Sequence, residues 1–510
     1  MLYKGRYNNQ LESLALLAAG IVFAAGTGAL AGLGSFDMTL VAVVGLAGVV
    51  ALLRPVASLY LLVVGGLVVV GLARLYFPGM EKIQWGVAGL ATALGGIGVL
   101  GFLFKPEPVK DIPPNSGILC VLLLLIGASA LINLQSVSQF VYGFKGYAQV
   151  MGLFFALVAL RVPNKSLNRL PKLLVAIALF QLPFVLHQWL VLVPQRVSLA
   201  SGIVAEDVVA GTMGASATGG GSNAILSILL ITAIAIVAAG YKRGQLKPWR
   251  SALICMVCSI PLFLNANRVA SLYLLIAFLM IFGPALFRRA SRFLAAAVLT
   301  VLIVTGTVWV NLNFGSRSAE YADWQDLVVT TVERNMAPDI GYGALELNRA
   351  GSITFWWTEQ IEHPDLKNFL FGNGPGAARE ATGSALPVKT LAATRYAGVG
   401  IGLTGISSLL WELGIVGLLV VVVLHVNAFR SAHYLVSSLR SNPFRQYVAE
   451  GLKVGVVLFF LCLFHKNTFV FHITYQTLVY LVFGILSAWH FHLERTQATA
   501  ARIRKQTKGP

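Results

Sequence analysis

The stretch Ala224-Ile-Leu-Ser-Ile-Leu-Leu-Ile-Thr-Ala-Ile-Ala-Ile-Val-Ala-Ala-Gly240 runs for seventeen residues without a charge. As a helix it is roughly 26 Å long at 1.5 Å per residue, most of a hydrocarbon core about 30 Å thick. A soluble helix of that length would carry a polar face, and this one has only Ser227 and Thr232. The segment reads as a membrane span.

Working outward, the same pattern recurs along the chain. Apolar blocks fall near 11–33, 39–53, 56–72, 85–104, 117–134, 147–160, 173–193, 224–240, 252–264, 269–287, 293–310, 402–426, 447–464 and 469–489. The block from Leu11 to Leu33 is too long for a signal-peptide core and is followed at once by further blocks, so it is kept as a helix. The expectation is an all-α polytopic membrane protein with about fourteen transmembrane helices. Of the 510 residues, 57% are hydrophobic and 11% charged, and mean hydropathy is +0.77. That charge content is less than half of a soluble domain's. A β-barrel would show alternating segments of about ten residues, and none appears.

The net charge of +18 has a topological cause. With the N-terminus inside, the short cytoplasmic segments hold 24 of the 38 Lys and Arg residues, as short inner loops do. Nucleic acid is therefore not an expected partner, the lipid bilayer is, and both termini are expected in the cytoplasm. Cys120, Cys255, Cys258 and Cys462 all lie inside apolar blocks, so they form no extracellular disulfide framework, and the CxxC spacing of Cys255 and Cys258 reads as packing.

One segment does not fit a bundle of short connections. Between the eleventh and twelfth blocks, residues 311–401 form a loop with ten of the twenty acidic residues and the aromatic cluster Phe355, Trp356 and Trp357. Loops of that length are usually functional. The domain reading is thus 1–310 for helices one to eleven, 311–401 for a long periplasmic loop with short helices, and 402–510 for the last three helices and a basic cytoplasmic tail. A short helix is expected from about Asn348 to Glu362, followed by a turn through Gly372, Gly374 and Gly376. A second outer segment, 193–223, ends in a run of small residues whose plain reading is a flexible loop.

Arg268 stands at a tight outer turn and Arg349 precedes the aromatic helix. Two guanidinium forks on one face match the oxygens of a diphosphate, although each arginine alone reads equally as one snorkelling to the interface. Lys389, Arg395 and Lys466 are further cations nearby. As proton acceptors the outer face offers Glu346, Glu359, Glu362, His363, Asp365, Glu412, His465 and His472. Glu412 is singled out because it lies inside an apolar block, where an acid is costly. There is no Walker loop, HExxH, EF-hand or GxSxG. No metal and no cofactor are expected.

In order along the outer face, these segments resemble the bacterial polysaccharide polymerase and O-antigen ligase superfamily (Wzy and WaaL types). The resemblance covers roughly residues 200–430. It rests on the glycine-rich stretch ending in Asn223, on Asn267-Arg268, on Arg349 with Trp356 and Trp357, on His363-Pro364 and Gly372-Asn-Gly-Pro-Gly376, and on Glu412-Leu-Gly-Ile-Val-Gly417. It implies a GT-C-like bundle in the inner membrane with its active site facing the periplasm. The implied substrate is an undecaprenyl-diphosphate-linked oligosaccharide, and a chain-length regulator protein is an implied partner. The resemblance carries Arg268, Arg349 and Glu412, and with His465 and Glu346 from the outer-face candidates these are the expected catalytic residues. Arg268, Arg349, Asn223, Arg395 and Trp356 would bind diphosphate and glycan. The ligases of this family have a His-Asn pair about nine residues before the glutamate, where this chain has Leu403 and Thr404. That departure favours a polymerase over a ligase and leaves the base unassigned. A lipid-linked sugar flippase or other transporter is the alternative from a different class, but no internal repeat supports it.

Reporter fusions test the orientation. Fusions at Gly244 and Asn442 are expected to read cytoplasmic, and fusions at Ala322 and Ser384 extracytoplasmic; an inside signal at Ser384 would invert the topology of the long loop.

Overall fold

The structure is a computed structural model, and it describes residues 54–77, 80, 83–103, 112–160, 162–197, 204–215, 222–265, 267–286, 305–306, 309, 312–313, 323–337, 341–342, 346–380 and 388–506. Among them the regular elements are all helices. The long ones are α1 (Pro55–Tyr76), α2 (Ile83–Leu103), α3 (Ser116–Ile132), α4 (Val137–Ala148), α5 (Met151–Ala159), α6 (Asn164–Arg196), α7 (Asn223–Lys242), α8 (Pro248–Leu264) and α9 (Val269–Leu286). After these come α10 (Trp324–Met336), α11 (Arg349–Glu362), α12 (Leu366–Phe371), α13 (Gly405–Ser438), α14 (Pro443–His465) and α15 (Ile473–Gln506).

The chain is a helical membrane protein, but the count of fourteen spans is corrected. Among the described residues six helices are long and apolar enough to cross a membrane, or seven if α4 and α5, bent by 51°, make one span. The blocks near 11–33 and 39–53, and nearly all of 293–310, lie outside the described residues. Elsewhere a composition window overcounts because it cannot see where a helix breaks. The blocks read at 117–134, 252–264 and 269–287 become shorter apolar helices. The block at 469–489 is interrupted at His472, and α15 then carries Tyr475, Gln476, Tyr480 and Trp489 among its apolar residues.

At the centre stands α7, the helix read first from the sequence. Nearly every side chain from Ala224 to Ala239 is buried, because α8, α9 and α14 pack around it. Beyond α14 lie α13 and α15, and α15 in turn packs on α5. Lipid tails are as apolar as leucine, so close contact and not water exclusion must hold such helices together. Gly152 of α5 shows how close: a Cβ there would run into the backbone carbonyl of Ala91 on α2.

The run of small residues before α7 is not a free loop where it is described. Within 204–215, Ala205, Glu206, Val208, Val209, Ala210, Thr212, Met213 and Ala215 are buried. Backbone that is neither helical nor wet needs partners from elsewhere in the protein. Two glutamines of α6 supply them. Gln188 Oε1 accepts the N–H groups of Ala210 and Gly211 at 3.0 and 2.7 Å, and its Nε2 donates to the Gly211 carbonyl at 2.7 Å. Gln181 Oε1 accepts the Thr212 N–H at 2.8 Å. The Thr212 hydroxyl donates to the Leu67 carbonyl at 2.8 Å, within a π-helical turn of α1.

Gly71 of α1 leaves the room this segment occupies, because a Cβ there would collide with the Thr212 carbonyl and the Gly214 nitrogen. Gly71→Ala is therefore expected to destabilise the protein by about 1–3 kcal/mol, the usual cost of overpacking. Gly96→Ala, where nothing lies within 4 Å, should not. Thermal unfolding in detergent compares the two, and equal melting would show that 204–215 yields without cost.

Candidate functional site

The first turn of α7 organises one end of the bundle. Asn265 and Asn267, in the turn between α8 and α9, both donate to the Ser227 hydroxyl, at 2.8 and 2.9 Å. Asn223 Nδ2 reaches Asp207 Oδ1 at 3.1 Å and so ties the buried segment to the same point. The next residue after Asn267 is Arg268, whose position is fixed by these amides. Its guanidinium donates to the Thr331 hydroxyl on α10. One turn on, Asn335 Oδ1 accepts the Tyr342 hydroxyl at 2.6 Å. Tyr342 in turn accepts Arg349 Nη1 at 2.6 Å, and Arg349 Nε donates to the His465 carbonyl at 2.7 Å. One hydrogen-bonded relay thus runs from Arg268 through α10 and Tyr342 to Arg349 and the end of α14.

Local sequence explains why Arg349 sits where it does. Asn348 caps α11, its Oδ1 accepting the Gly351 N–H at 2.6 Å, and its Nδ2 donates to the Ala337 carbonyl just after α10. The first helical residue is therefore held against the end of α10. Burial raises the Tyr342 phenol above its ordinary range while Arg349 and Arg334 oppose the shift, so it stays a hydroxyl, able to donate and accept at once.

Positive charge accumulates beside the relay. Lys466, at the end of α14, is held below the usual lysine range mainly by burial; Asp207 opposes the shift, while Arg349 and Arg74 reinforce it. Among the described groups acting on Lys466, Asp207 is the carboxylate, and it also lies within reach of Arg196. The half-buried His472 is pushed down to about 3 by burial first and then by Arg74, Lys466 and Arg379. Its Nε2 lies 2.7 Å from the Ser222 hydroxyl. Neutral imidazole, hydroxyl and several cations gathered together suit an anion rich in oxygens.

Of the residues named from sequence, Asn223, Arg268, Arg349, His465, Lys466 and His472 are brought to this cluster, His465 through its carbonyl. Glu346 is exposed at its edge, where its carbonyl accepts the Tyr342 N–H. Glu412, Trp356 and Arg395 lie elsewhere. Glu412 is fully buried in α13, two residues before Gly414, where φ of 67° breaks the helix. The glycine turn fills that break: Asn373 N–H bonds to the Trp411 carbonyl at 2.8 Å and Gly374 N–H to the Glu412 carbonyl at 3.0 Å. Glu412 Oε1 accepts the Ala378 N–H at 3.3 Å. In this setting the carboxyl braces the turn.

Trp356 is 1% exposed and stacks on Phe369 at 5.6 Å, so it belongs to the packing between α11 and α12. Arg395 forms an exposed ion pair with Glu359 at 3.1 Å. Sequence reasoning did not single out Arg74, Asp207, Ser222, Thr331, Tyr342 or Arg379. Of these only Arg74 carries a visible signal, a charge in the last turn of an apolar helix. Among the described residues no group of three or more His, Cys, Asp and Glu side chains stands ready to hold a metal ion.

No protein-family model matches the chain, and no curated protein matches it. The reading of its function therefore rests on this geometry and on the sequence resemblance.

The low basicity of His472 has a measurable sign. Free histidine titrates near pH 6.5, so between that value and about 3 the unfolded chain binds a proton here that the folded chain does not. This site's contribution to stability is complete above the unfolded value and is lost as pH falls. The melting temperature in detergent is expected to drop between about pH 7 and pH 5. His472→Gln, which keeps a partner for Ser222 but does not titrate, should show a smaller drop; an equal one would place the acid sensitivity in other groups.

Proposed function

We propose that this chain is a membrane polysaccharide polymerase, which joins undecaprenyl-diphosphate-linked oligosaccharide units at the outer face of a bacterial inner membrane with both termini in the cytoplasm. The observation that carries the reading is the relay from Arg268 to Arg349, which sets two guanidinium groups and Lys466 at one end of the bundle. A diphosphate is the chemistry such a group would recognise.

In the proposed reaction a sugar hydroxyl of the acceptor attacks the anomeric carbon of the donor from the face opposite the leaving group. The new C–O bond forms as the bond to the diphosphate breaks, and the bonding pair leaves on the phosphate oxygen, so the configuration inverts. Arg268, Arg349 and Lys466 would stabilise the charge that develops there, in surroundings where water competes poorly. The hydroxyl proton needs an acceptor. His472 is neutral, as a base must be, and an anion bound among Arg74, Lys466 and Arg379 would cancel the charges that lower its basicity.

Arg268→Ala and Arg349→Ala are each expected to lower polymer formation by about 100-fold or more, the cost of removing a donor from a developing anion. Lysine at either position should restore little, because an ammonium offers no planar fork. In a deletion strain, mass spectrometry of the carrier lipids should show single repeat units. Long polymer left on the carrier would instead identify a ligase, and normal turnover by both alanine variants would remove the arginine mechanism.

A further inference from the structure

A second group of cations includes Arg379, which is within electrostatic reach of His472. Lys145 is in α4, within the bent pair α4 and α5, and its Nζ stands 3.3 Å from the ring centroid of Trp85. The Arg379 guanidinium, after the glycine turn, lies 4.5 Å from the ring centroid of Phe471, the residue directly before His472. Arg379 is within electrostatic reach of both Lys145 and His472. The juxtaposition is built by close backbone approach, since a Cβ on Gly143 would collide with the Pro375 carbonyl. Lys145 and Arg379 follow those two residues by two and four positions. Tyr142 completes the wall, its ring 5.8 Å from that of Phe471.

Among the described residues neither Lys145 nor Arg379 forms an ion pair with a carboxylate. Glu412 is within electrostatic reach of Arg379 while its Oε1 accepts the Ala378 N–H at 3.3 Å, and Glu380 Oε1 accepts the Gly398 N–H at 3.2 Å. Holding two like charges together at the rim of an apolar bundle is costly unless an anion joins them. Aromatic faces beside cations suit a ligand that alternates charged oxygens with sugar rings, whose C–H faces lie flat on an aromatic plane.

We propose that Lys145 and Arg379, walled by Trp85, Tyr142 and Phe471, form a second anion subsite that holds an acidic group of the acceptor saccharide while the donor diphosphate occupies the Arg268 and Arg349 side. The proposal rests on the polymerase reading, because a polymerase binds two lipid-linked substrates at once and His472 is within electrostatic reach of cations from both groups. The acidic group is the acceptor's own carrier diphosphate or a uronic acid of its repeat unit, and both present the same oxygens.

Binding to the purified full chain in nanodiscs tests this with two probes, farnesyl diphosphate and an oligogalacturonate. Wild type is expected to bind the diphosphate at two sites if the subsite holds a carrier, or the diphosphate at one site and the oligogalacturonate at another if it holds an acidic sugar. In the Lys145→Gln/Arg379→Gln double variant the second binding event should weaken about 10- to 100-fold, as expected for lost charge-assisted hydrogen bonds. The first event should be unchanged. Trp85→Ala, which removes a face without altering charge, should weaken the same event. An Arg430→Gln control and a thermal melt exclude general charge effects and misfolding. The inference is overturned if the double variant binds both probes like wild type while Arg268→Ala/Arg349→Ala loses one event. The polymerase reading fails separately if Arg268→Ala/Arg349→Ala changes neither binding nor polymer.

Discussion

A backbone amide or carbonyl withdrawn from water must find a partner inside the protein, and the two irregular segments at the heart of this structure exist because other parts of the chain meet that demand. Gln181 and Gln188 complete the turn at 210–212. The break in α13 at Gly414 frees the carbonyls of Trp411 and Glu412, and the glycine turn donates to both. Ser129 of α3 adds its hydroxyl to the Glu412 carbonyl at 3.1 Å. Because these partners come from distant elements, the positions of Asp207, Arg379 and Arg74 are consequences of how the breaks are filled.

The two ends of the bundle handle charge in opposite ways. At one end Lys242 and Arg243 both bond the buried Glu450, at 2.8 and 2.6 Å, and Arg445 reaches Asn164 and Asn168. Those cations are satisfied within the protein and serve to fasten α7 to α14. At the other end Arg268 donates to the Thr331 hydroxyl, and Arg349 donates to the Tyr342 hydroxyl and the His465 carbonyl, contacts that orient each guanidinium. The first arrangement fastens two helices through an ion pair; the second ties its guanidinium groups to hydroxyls and a carbonyl.

The long loop divides in the same manner. Its aromatic helix was legible because Asn348, the capping position, and the run of aromatic residues after it mark a helix start and an apolar face. The role of Trp356 was not legible, since an indole suits an interface or a core equally, and only its stacking on Phe369 places it in the core. Glu412 shows the same limit. An acid inside an apolar block announces a constraint, but whether it binds a substrate or braces a turn depends on which N–H groups approach it in three dimensions.

By itself the sequence determined that the chain is a helical membrane protein, that its cations are unevenly distributed, and that Asn223, Arg268 and Arg349 deserve scrutiny, because hydropathy, charge and local capping are properties of neighbouring residues. It did not determine the number of spans, since helix breaks such as those between Ala148 and Met151 and at His472 are invisible to composition. Only the tertiary structure decided that Thr331, Asn335 and Tyr342 join Arg268 to Arg349, and that His472 comes within electrostatic reach of Lys466 and Arg379. Those relations reach across several tens of residues of chain, and contacts between side chains so far apart leave no periodic trace in one sequence.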